Sequence, residues 1–132
     1  MKITPDTNVL VRALVNEDER QSKAAQTALA DAAEIALPIA VLCELVWVLS
    51  QGYKISALEI ADKIRAMANS SNVLMNRPAV ELGLAMLEAG GDFADGAIAY
   101  EGNWLGAEAF VSFDRKAVRL LDGKGRIARL LQ

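Results

Sequence analysis

Five acids stand in the sequence where an acid is expensive. Asp6 follows the short extended opening, residues 1–5, and is followed at once by the apolar stretch 9–15. Glu44 lies inside residues 39–49, the most apolar run of the chain; its neighbours at helical spacing are Ala40, Val41, Trp47 and Val48, so no local cation can pair with it. Asp95 sits among the small and apolar residues 93–99, with Asp92 one turn earlier. Asp114 directly follows the apolar run 109–113. A carboxylate in such surroundings needs a partner. For Asp6, Asp92 and Asp114 the simplest partner is a helix N-terminus, since each precedes a predicted helix. Glu44, in mid-helix, has no such escape.

If these acids converge, their repulsion raises pKa values and destabilises the fold unless a cation joins them. The chain has no histidine and one cysteine, Cys43, which argues against a zinc site of the usual nitrogen and sulfur type. The same absence excludes Ser-His and Cys-His catalysis. Oxygen-only ligands favour Mg²⁺, with Mn²⁺ as the alternative. Such clusters serve phosphodiester chemistry: the ion lowers the pKa of a bound water and offsets charge developing on phosphate.

The 132 residues suit a single domain, 1–132, and the 53% hydrophobic content argues for a buried core. No apolar run reaches the length of a membrane span and no signal peptide opens the chain, so a cytoplasmic protein without a membrane partner is expected. The net charge of −3 is uneven. Residues 1–114 carry 8 Lys and Arg against 16 Asp and Glu; residues 115–132 carry six cations against Asp122 alone. That basic end is either a solvated edge or a surface for a polyanion or an acidic partner.

Spacing predicts strands at 2–5, 34–37, 73–75 and 109–113, and a short last strand within 126–131. Helices are predicted at 7–15, 19–33, 39–51 with Pro38 at its first position, 57–68, 79–89, 92–105 and 115–121. Ser56 and Glu59 form a capping-box pattern, Gly90-Gly91 stops a helix, and Gly96 and Gly102 weaken the one that contains them. Strands alternating with helices mean an α/β sandwich with a mostly parallel sheet, in which Asp6 and Asp114 fall at the carboxyl ends of strands, where ligands bind.

In these residues the sequence resembles the PIN domain family, and within it the VapC-type ribonuclease toxins of type II toxin–antitoxin systems. The blocks are Asp6-Thr7-Asn8-Val9-Leu10, Glu44, residues 92–99, and Phe113-Asp114-Arg115-Lys116, in the family's order and at its spacing over nearly the whole chain. The sequence departs from the family at Gly96-Ala97-Ile98, where Ala and Leu are common after the third acid. The resemblance implies a three-layer α/β/α sandwich with a short central sheet. It implies a Mg²⁺-dependent endoribonuclease whose ligands are Asp6, Glu44, Asp95 and Asp114, with Thr7, Asn8 and Asp92 supporting them; Ser112, close before Asp114, is a further candidate for support. It also implies a homodimer, higher assemblies with a VapB-like antitoxin, and targets of the tRNA or ribosomal RNA class. Arg115, Lys116 and Arg119 are the cations nearest these acids in sequence and are candidates to meet RNA or antitoxin. The competing expectation is a catalytically silent module of the same fold that binds RNA or protein. A receiver-like phospho-acceptor domain has the right length but would need paired acids after the first strand and a late lysine, and neither is evident.

Overall fold

The computed structural model describes residues 1–132, which divide into two compact units, Met1–Asn76 and Arg77–Gln132. In the first unit, strands β1 (Lys2–Ile3), β2 (Glu34–Ala36) and β3 (Val73–Leu74) pair in parallel, with β2 central. Ile3 lies opposite Ile35, and Ile35 opposite Val73. Parallel neighbours need long crossovers. Helices α1 (Thr7–Leu14) and α2 (Glu19–Asp31) supply the first; α3 (Ile39–Trp47) and α4 (Ala57–Ala68) supply the second. The side chains of Leu10, Leu42, Leu45, Leu49, Ile60 and Ile64 are fully buried. Short polar side chains start the helices by binding otherwise orphaned N–H groups: Asp18 accepts from Gln21 N at 3.1 Å and Ser56 from Glu59 N at 3.2 Å.

Two expectations about α3 are corrected. Pro38 precedes the helix as its N-cap, because its ψ of 149° is extended rather than helical. The regular helix also stops at Trp47, and residues Val48–Gly52 form a π-helical turn. Tyr53, just beyond that turn, has a pKa raised chiefly by its hydrogen bond to Glu17.

The second unit holds α5 (Arg77–Glu88), α6 (Phe93–Trp104), β4 (Phe110–Ser112), α7 (Arg115–Gly123) and β5 (Ala128–Leu130). β4 and β5 are parallel, with α7 as their crossover and Phe110 opposite Ala128. Leu82, Met86 and Leu121 are buried together, and Phe110, Leu120 and Ala128 close over them. Gly90, at φ +90°, adopts the left-handed conformation that ends α5, as the Gly-Gly pair implied.

Helix α6 runs unbroken through both of its glycines, and one of them has a purpose. A Cβ on Gly96 would stand 2.6 Å from the Leu82 carbonyl oxygen and 2.8 Å from Gly83 Cα. Backbone therefore meets backbone where α6 crosses α5. Gly102 has nothing within 4 Å.

The α/β class and parallel pairing are as expected from sequence, with seven α-helices and short parallel ladders. No helix is long and apolar enough to cross a membrane.

Candidate active site

In the second unit, Asp95 lies within electrostatic reach of both Asp92 and Asp114. Asp92 is the N-cap of α6, its Oδ1 accepting from Ala94 N at 3.1 Å. Asp95 lies one turn on, next to Gly96, and is half-buried. Asp114 caps α7, its Oδ1 accepting from Lys116 N at 2.9 Å and Ala117 N at 3.1 Å. Ser112 Oγ accepts from Asp114 N at 2.9 Å, which fixes the corner between β4 and α7. Burial raises the Asp95 carboxyl above its ordinary range, and the charges of Asp92 and then Asp114 push it further the same way. Nothing offsets this: the Asp95 carboxylate accepts no hydrogen bond and pairs with no cation.

In the first unit, Asp6 is exposed and caps α1, its Oδ1 accepting from Val9 N at 3.0 Å. Thr4 Oγ1 donates to Ala36 O at 2.9 Å, so the residues just before Asp6 are tied to the end of β2. Thr7 is buried in the first turn of α1, and Asn8 is exposed beside it. Glu44 requires a correction: it is exposed rather than buried in apolar surroundings. Ala40, Glu44 and Trp47 follow one stripe of α3 and all three face solvent, while Leu42, Leu45 and Val46 face inward. Two of its apolar neighbours, Ala40 and Trp47, are thus exposed with it, and the buried residues lie on the other faces of the helix.

The N-cap alternative thus holds for Asp6, Asp92 and Asp114, and it leaves room for a second role. Each uses only Oδ1 in its cap, so Oδ2 remains open to a further partner. The donor set is oxygen-only and anionic, and in Asp95 it is uncompensated, which is the chemistry that fits a hard divalent cation. In neither unit are three Asp or Glu side chains gathered closely enough to hold one ion.

Sequence reasoning passed over one residue here. Phe113, between Ser112 and Asp114, belongs to the block around the fourth acid, and its ring is 74% exposed. An aromatic next to a candidate ligand was the available signal, and the alternation of β4 carries it to the same exposed side as Val111. Arg115, Lys116 and Arg119 are exposed on α7.

The model of the PIN domain family matches residues 3–122. PIN domains are typically nucleases, hydrolases that commonly use divalent metals. A comparison with curated proteins gave no match.

Proposed function

Because this chain belongs to the PIN domain family, we propose that it is a Mg²⁺-dependent endoribonuclease and the toxin of a type II toxin–antitoxin module. The observation that supports this most is Asp95: a half-buried carboxylate, raised in pKa by burial, Asp92 and Asp114, with no cation of the protein beside it. A site that destabilises itself in this way is commonly a functional one.

In this reading Asp6, Glu44, Asp95 and Asp114 hold Mg²⁺ or Mn²⁺. The bound ion supplies a water of lowered pKa and neutralises charge on the phosphate. The protein's own part is orientation. The caps on α1 and α7 fix the Oδ1 atoms of Asp6 and Asp114 and aim Oδ2 away from the helix. Ser112 holds the Asp114 corner, Thr7 and Asn8 support the start of α1, and Asp92 adds negative charge that favours a cation near Asp95. Arg115, Lys116 and Arg119 meet RNA phosphates or acids of the antitoxin. The remaining parts of the proposal are a homodimer, a VapB-like antitoxin joined in a larger assembly, a structured RNA target of the tRNA or ribosomal RNA class, and a bacterial or archaeal cytoplasm.

A second reading, a catalytically silent module that binds RNA or protein, is favoured by the caps: Asp6, Asp92 and Asp114 each already serve a helix N-terminus, and Glu44 is exposed. The two part in one assay. The purified chain, freed of any partner, is incubated with RNA in Mg²⁺ or Mn²⁺ and in EDTA. Cleavage that EDTA abolishes supports the nuclease; no cleavage with either metal supports the silent module.

A further inference from the structure

We propose that Phe113 is a stacking platform for an unpaired RNA base, flanked by phosphate contacts from Arg115 and Arg119. The proposal rests on reading this chain as one that acts on RNA. Phe113 lies at the carboxyl end of β4, one residue before the N-cap of α7. Ligands of parallel α/β structures collect at such ends. The backbone there is pinned from both sides, by the Ser112 hydroxyl and by the two N–H groups that bind Asp114. The ring is nevertheless 74% exposed. A large aromatic side chain held outward by an ordered corner offers a flat apolar face that no other part of the protein uses.

The neighbouring charges indicate what that face receives. Ala117 and Leu121 turn α7 inward, which leaves Arg115 and Arg119, one turn apart, on its solvent side. Neither makes an ion pair within the protein. An exposed ring beside unpaired cations is the combination that binds single-stranded nucleic acid, bases on the ring and phosphates on the cations. In a duplex both faces of each base are already stacked, so the ring selects an unpaired nucleotide. Phe113 adjoins Asp114, so the stacked base sits next to the phosphate to be cut and Phe113 acts as a positioning residue.

The test is equilibrium binding of a short, labelled single-stranded RNA in EDTA, which requires neither metal nor turnover. Phe113→Leu is expected to weaken binding roughly 5- to 150-fold, the range for loss of one stacked base, and Phe113→Trp to retain it. A strand of equal length made of abasic nucleotides should bind the wild type and Phe113→Leu equally. Wild-type affinity in Phe113→Leu overturns the proposal and leaves the ring to a protein contact. An equal loss on the abasic strand also overturns it, because the ring then acts without a base. A chain that binds RNA in this pattern but never cuts it keeps the platform and loses the nuclease.

Discussion

Helices α3 and α6 each carry one acid in an apolar stretch, and they treat it in opposite ways. Glu44 on α3 is surrounded in sequence by Val, Leu and Trp, yet it is exposed. Asp95 on α6, among small and apolar residues, is half-buried, and Asp92 and Asp114 add to its cost. The difference lies in how closely each helix is covered on the acid's side. On α3, Ala40, Glu44 and Trp47 form an open stripe. On α6, Asp95 is half-buried next to Gly96, where the backbone presses against α5. Hydrophobic neighbours in sequence therefore say little about the burial of an acid.

The comparison breaks most visibly in catalysis. If both acids are ligands, Glu44→Gln and Asp95→Asn each reduce metal-dependent RNA cleavage by more than the roughly 10- to 100-fold typical of supporting residues. Activity retained in Glu44→Gln, with activity lost in Asp95→Asn, would remove the exposed acid from the site. The next effect concerns the crossing itself. Gly96→Ala forces a Cβ against the Leu82 carbonyl and should lower unfolding free energy by about 3 kcal/mol in urea titration. Gly102→Ala, on the same helix but facing open space, should raise it by about 0.5–1 kcal/mol. Equal effects at the two glycines would contradict the close backbone crossing of α6 on α5.

The smallest effect is the pH dependence of the metal-free protein. Because the Asp95 pKa is raised above 3.8, its ionisation opposes folding. The stability it permits is complete below that ordinary value and is lost as pH rises through the raised one. Asp95→Asn, which cannot ionise, should therefore gain stability over the wild type between about pH 3 and about pH 7. The same substitution then removes activity and stabilises the fold, and urea midpoints at the two pH values measure the second half of that statement.

Much of the scaffold was legible in the sequence. Asp6, Ser56, Asp92 and Asp114 announce their helices as caps, and all four accept the N–H groups expected of them. The Gly90-Gly91 break and the short strands also fell close to where spacing put them. Three features were not legible. The outward face of Glu44 depends on which stripe of a nearly all-apolar helix is covered, and such a helix has too little polar contrast to show it. The need for Gly96 depends on Leu82 and Gly83, more than a dozen residues away. The π-helical turn after Trp47 follows a run with no breaker until Gly52, so its local signal is absent. The roles of Thr7 and Asn8 come from resemblance; Ser112, a candidate by its place before Asp114, shows a hydrogen bond from Asp114 N that gives its role a physical form.

The central claim is that carboxylates from both helices and both caps share a metal. Crystals grown or soaked in Mn²⁺, with data collected at the manganese edge, test it most directly. The account predicts an anomalous peak coordinated at about 2.0–2.2 Å by carboxylate oxygens of Asp6, Glu44, Asp95 and Asp114. Saturating Mn²⁺ with no peak beside Asp95, or a peak held by other residues alone, would contradict it.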